Sequence, residues 1–323
     1  MDLLKKTSGM ILVVVFSILA GAALLIGVYR IPVRPITDHV RSGYEVYLIE
    51  SSVFSYAEGY KASILDNYTE ILMLLEAIYP SENPLADSML VPHIEYKERA
   101  DIELSLAAYL NADETVSPVK MDYPRYWHGY LVILKPLLFF LSLSDIRMLG
   151  IALQLILIFV LLRLMRDNGL GQYCPAIAAV LVLWNPATTG MCFQYYPCFF
   201  ISILAAIVVL LKYPSLGRSQ YTVYLFYFLL GILTSYFDYL AFPLAVLCLL
   251  LLIHILLSSD HNRKCQTPRF FVIPCTFFWG LGYLGQWLGK WFIGSLITGQ
   301  NLFNDGMNTV RYRTSGCESC VII

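Results

Sequence analysis

Two groups of side chains have the types and spacing that chemistry requires. The first is Asp66 and Glu70, two carboxylates one helical turn apart in LDNYTE. Such a pair can take a proton from a hydroxyl group, or hold a divalent cation such as magnesium or manganese through oxygen ligands. The same spacing also serves as a helix N-cap with a solvated face. The second group is DYPRYWHGY, Asp122 to Tyr130, where a carboxylate, Arg125, Trp127 and His128 crowd together. An arginine at a lipid surface can fork onto a phosphate, and Lys135 nearby adds a point charge. The aromatic residues of this stretch also suit a membrane boundary, whatever the role of Arg125 and His128. Asp238, in SYFDYLAFP, and Lys290, in WLGKWF, sit at the edges of apolar runs. Asp238 is a site candidate by its depth, or a residue sheltered in a wet turn; Lys290 is a functional cation or one that snorkels. His254 reads as a satisfied buried histidine. One CxxC, Cys317 and Cys320, has no second pair to make a metal site. No Walker loop, GxSxG, HExxH or GxGxxG is present, so nucleotide hydrolysis and serine or zinc hydrolase chemistry have no support.

The elements that must position these residues are set by composition. Of 323 residues, 58% are hydrophobic and 14% charged, against roughly 25% charged in a soluble domain. That leaves too few charges to coat a globule, and the chain reads as an all-α polytopic membrane protein. With 22 basic and 23 acidic residues, the net charge is −1. No overall basic field exists to draw in nucleic acid. None of the eight cysteines falls between Arg30 and His128, so that stretch has no disulfide framework.

A crossing helix needs about 20 mostly apolar residues. Seven stretches are expected to cross: Ser8 to Tyr29, Arg147 to Met165, Cys174 to Thr189, Phe193 to Leu211, Tyr221 to Phe237, Leu240 to Leu257 and Phe270 to Gly289. Basic residues then fall on alternate connections, at Lys5 and Lys6, Arg163 and Arg166, Lys212 and Arg218, and Arg263, Lys264 and Arg269. This places the amino terminus in the cytoplasm. The stretch from Tyr126 to Leu143 carries Lys135 and Pro136 at its centre, and counting it as a crossing would reverse that pattern. It reads as an interfacial or re-entrant helix.

Four regions follow: an anchor at 1–29, an extracytoplasmic segment at 30–145, a six-helix bundle at 146–290, and an extracytoplasmic tail at 291–323. In ILDNYTEILMLLEAIY, apolar residues recur at helical spacing with Asp66 as a cap, and a second helical pattern runs from Ile102 to Leu110. The ending VRYRTSGCESCVII lacks periodicity and fits a truncated copy.

The strings LDNYTEILML, YPRYWHGYLVILKPLL, FQYYP, YFDYLAFPL and GYLGQWLGKW resemble an uncharacterised family of bacterial polytopic proteins, and the topology resembles the amino-terminal half of GT-C glycosyltransferases. The resemblance implies a multi-pass cell-membrane enzyme that takes a sugar from a polyprenyl-phosphate carrier and passes it to a cell-surface acceptor. It implies a carboxylate base or metal ligand in the first outer loop: Asp66, with Glu70 beside it and Asp38 as competitor nearer the first span. Arg125, His128, Lys135 and Lys290 would meet phosphate or acceptor, and Asp238 would be a second acid or a brace. Two other functions compete. A transporter or flippase subunit should have inverted halves or broken spans at matching positions; a noncatalytic receptor or assembly protein would use the outer segment for binding alone.

Overall fold

In the computed structural model, residues 2–96, 98, 101–216, 219–238, 241–258 and 271–315 are described. Arg218, the basic connection with Arg263, Lys264 and Arg269, and the CxxC at Cys317 and Cys320 lie outside them. The protein is mostly helical. Among the described residues, three helices are long and apolar enough to cross a membrane: α1 (Asp2–Val28, apolar from Ser8), α8 (Leu143–Asp167) and α11 (Tyr196–Leu216, whose apolar span runs Phe193–Tyr213).

Between α1 and α8 the chain builds α2 (Val33–Arg41), α3 (Glu45–Glu50), β1 (Val53–Ser55), β2 (Ile64–Asp66), α4 (Asn67–Ile78), α5 (Pro84–Leu90), β3 (Pro92–Tyr96), α6 (Ile102–Asn111), β4 (Pro118–Asp122) and α7 (Leu131–Phe140). The four strands form two antiparallel pairs, β1 with β2 and β3 with β4, within an otherwise helical segment. Strands this short leave no alternation to read. The helix expected near Asp66 forms as α4, and Asp66 caps it by accepting the Thr69 backbone N–H at 3.1 Å. α4 is buried from Glu70 to Ile78 on every side, as a helix apolar all round must be. α7 rises about 15 Å over ten residues, half the apolar thickness of a bilayer, so it does not cross alone.

After α8 come α9 (Cys174–Leu183), α10 (Pro186–Met191), α11, α12 (Gln220–Phe237), α13 (Pro243–Ser258), α14 (Val272–Thr298) and α15 (Leu302–Ser315). The single helix expected over 174–189 breaks at Asn185, whose φ of 57° turns the chain before Pro186. The last long helix runs on past Gly289 to Thr298, so Lys290 is an interior residue of α14 rather than its terminus. The periodicity judged missing after Val310 does not prevent α15 from reaching Ser315.

α12 and α14 meet backbone to backbone. A Cβ at Gly231 would strike the Trp279 carbonyl, and one at Gly282 the Phe228 carbonyl. One apolar core joins α4 to Leu25 of α1, Leu131 and Leu138 of α7, Ile146 of α8 and Tyr236 of α12; a second fills the space among α8, α9, α11, α12, α13 and α14. The outer segment and the long helices therefore share a core.

Candidate functional site

α4 organises the charged residues of the outer segment. Successive residues turn by about 100° and rise about 1.5 Å, so Asp66, Glu70 and Glu76 occupy different levels and directions. Asp66, half-buried at the cap, also accepts the Thr69 hydroxyl at 2.7 Å. Its backbone carbonyl accepts a hydrogen bond from Gln194 at 3.0 Å.

Glu70 is fully buried one turn further. It accepts hydrogen bonds from Tyr47 at 2.7 Å and from Arg147, at the start of α8, at 2.8 Å. Burial pushes the Glu70 carboxyl above its usual range, while Arg147 and the Tyr47 hydroxyl pull it down. Burial and the Glu70 charge push the Tyr47 hydroxyl well above its usual value. Asp66 and Glu70 thus have separate partners and do not share one ligand set. Among the described residues, no group of three His, Cys, Asp or Glu side chains is placed to hold a metal ion.

Glu76 faces the middle of the molecule, about 15 Å along the helix from Asp66. It is 0% exposed and accepts a hydrogen bond from Tyr130; His128 Nδ1 lies 3.2 Å from the same oxygen. Burial first, then the Glu76 charge, push the Tyr130 hydroxyl well up. His128 holds a φ of 55°, a conformation uncommon outside glycine. The next residue explains the turn: Gly129 donates its N–H to the Tyr236 carbonyl at 3.0 Å, and a Cβ there would collide with that same oxygen.

Two buried lysines flank this centre. Lys290 donates to the Ser88 carbonyl at 3.1 Å and lies 5.5 Å from the centroid of the Trp127 ring. Lys135 sits 4.7 Å from the Tyr29 ring centroid, and its Nζ has no hydrogen-bond partner. Its pKa is lowered by burial to about 8.

The remaining candidates are dispersed. Arg125 pairs with Asp305 at 3.2 Å, and its carbonyl accepts from Trp287 and Trp291. Asp38 lies on the surface, 3.3 Å from Arg41. Asp238 accepts from Cys198 Sγ at 3.1 Å and the Ala241 N–H at 3.2 Å.

A cleft of about 430 Å³ is lined by Lys61, Ile64, Trp184, Asn185, Tyr195 and Phe242 among others; Asp66 does not line it but stands two residues beyond Ile64 in β2. Tyr195 and Phe242 stand 5.2 Å apart on its wall. Its polar edge is knitted across the two halves: Asn185 Nδ2 donates to the Tyr56 hydroxyl at 2.8 Å and to the Ala62 carbonyl at 2.5 Å, and Thr188 donates to that carbonyl at 2.8 Å.

Reading the residues in sequence missed Glu76, Arg147 and this cleft. Glu76 lies inside LMLLEAIY, where a single acid signals no partner, and Arg147 opens an apolar run like any flanking cation. Asn185-Pro186 is a turn signal that marks the break. The fold defines a mostly helical protein in which, among the described residues, three helices are long and apolar enough to cross a membrane. No family model matches the chain, and neither a curated protein nor a solved structure matches it at a significant level.

Proposed function

We propose that the chain is a multi-pass membrane glycosyltransferase that passes a sugar from a polyprenyl-phosphate carrier to a surface acceptor in the cleft beside Asp66. Seven crossings, formed by α1, α8, the broken pair α9 and α10, α11, α12, α13 and α14, put the outer segment on the extracytoplasmic side and the amino terminus in the cytoplasm. Alternate helix ends support this order. Asn185 before α10, Gln194 before α11, Tyr236 at the end of α12 and Lys290 in the last third of α14 all bond to residues of the outer segment.

The cleft carries the reading, because it joins an apolar and aromatic wall to a polar edge, and the half-buried Asp66 follows Ile64 of that wall by two residues on the same strand. The isoprenoid chain would lie against Trp184, Tyr195 and Phe242. Lys61 at the rim would meet the phosphate as it departs. Asp66 would take the acceptor hydroxyl proton as the oxygen attacks the anomeric carbon and the carbon–phosphate oxygen bond breaks. Its two oxygens already accept from Thr69, yet a carboxylate has about four lone-pair sites, so one remains for the acceptor.

Transfer of labelled sugar from a polyprenyl-phosphate donor in reconstituted vesicles tests the proposal. Asp66→Asn should abolish transfer while melting stays near the wild type, since asparagine also caps a helix. Undiminished transfer by that variant would remove Asp66 as the base.

A noncatalytic assembly or receptor role is the second reading. The observation that favours it is the complete burial of Glu70, Glu76, His128, Lys135 and Lys290 in contacts between elements. Under it, the wild type itself transfers no sugar and the outer segment retains its binding partner.

A further inference from the structure

The connection between α3 and α4 has an outward face that is unusually apolar for a solvated loop. In the β1–β2 register, Val53 pairs with Asp66 and Ser55 with Ile64, so these four share one face while Leu65 on the other is buried. Val53 is 62% exposed, Tyr60 at the tip 50%, and Ile49 in the preceding helix 84%. Such a run in water would cost stability and invite aggregation. Lys61, exposed beside Tyr60, adds a cation to an aromatic tip.

The hairpin is fixed at a definite height. Its Ala62 carbonyl and Tyr56 hydroxyl bond to Asn185, two residues past the end of α9. That helix ends in Val182 and Leu183, 67% and 74% exposed. Ile64 and Lys61 of the hairpin line the same cleft as Leu183, so the hairpin lies next to the exposed apolar end of α9, with Tyr60 and Lys61 at its tip. Trp and Tyr belong at the boundary between headgroups and hydrocarbon, and lysine suits the phosphate level above it.

We infer that the 53–66 hairpin is a membrane-dipping anchor: its face bearing Val53, Tyr60 and Ile64 rests in the outer-leaflet headgroup boundary, with Lys61 against lipid phosphate. The cleft wall at Ile64 then opens directly onto lipid rather than water. This inference rests on the multi-pass reading proposed above, but not on the sugar-transfer chemistry.

Photo-crosslinking of the full chain tests it. p-Benzoyl-phenylalanine is placed in turn at Tyr60, at Ile49 and, as a comparison, at exposed Glu114 in the loop before β4. Each protein is reconstituted in phosphatidylcholine and phosphatidylglycerol vesicles, irradiated, and analysed by mass spectrometry for lipid adducts. Adducts several-fold more abundant at positions 60 and 49 than at 114 are expected. Equal yields at all three positions, or adducts at 60 to protein alone, would overturn the anchor if alkaline carbonate leaves the chain in the vesicles. Release of the chain by carbonate would instead overturn the multi-pass reading and the anchor with it.

Discussion

Replacing Lys135 by methionine should make the protein more stable. The Lys135 amine is buried with no hydrogen-bond partner among the described residues, and it lies 4.7 Å from the centroid of the Tyr29 ring. A lysine held at about 8 rather than 10.5 removes about 3 kcal/mol of folding stability at pH 7, because the amine is still mostly protonated there in both states and the folded state must bury that charge away from water. The ring returns roughly 1 kcal/mol of this. Methionine has similar length and no charge to desolvate, so Lys135→Met should gain about 2 kcal/mol at pH 7. Between about pH 8 and 10.5 the folded amine binds fewer protons than the unfolded one, so wild-type stability should rise through that window. The variant lacks this dependence. Melting in detergent micelles, followed by intrinsic fluorescence from pH 7 to 10.5, should therefore show a gap that closes as pH rises. A methionine variant less stable at pH 7, or a gap constant across the window, would refute the reasoning.

Three other outcomes follow from named contacts. Arg147→Met strands the buried Glu70 carboxylate and should cost about 3–5 kcal/mol, much of it restored in the double variant with Glu70→Gln; denaturation of the two proteins and of the single Glu70 variant checks the coupling. Gly231→Ala drives a methyl group into the Trp279 carbonyl, so it should part α12 from α14 and lower the yield of monodisperse protein in size-exclusion chromatography. Asp66→Ala removes the helix cap and should cost about 1 kcal/mol in melting, whereas Asp66→Asn should cost little, which separates the cap from any chemistry.

How much of this was legible depended on the range of each interaction. α4 and its cap were readable because Tyr68, Leu72 and Leu75 recur at helical spacing and Asp66 precedes the run. The stretch 126–143 was set apart from the crossings because counting it would reverse the alternation of basic residues, and the helix within it, α7, has ten residues, fewer than a span needs. The pairings of Glu70 with Arg147 and of Glu76 with His128 were not, since each joins residues 77 or 52 apart that share no local pattern. Lys290 was misplaced because WLGKWFIG continues the apolar run on both sides, and length alone sets where such a helix stops. Its neutral acceptor, the Ser88 carbonyl, belongs to a backbone that no side-chain reading anticipates.

The core that α4 shares with α1, α7, α8 and α12 has a practical consequence for handling the molecule. Residues 33–140 expressed as an isolated fragment would uncover Ile71, Leu74 and Ile78, and would carry Glu70 without its guanidinium. Such a fragment should aggregate rather than behave as a secreted domain. Binding studies of this region call for the intact polypeptide in detergent or lipid.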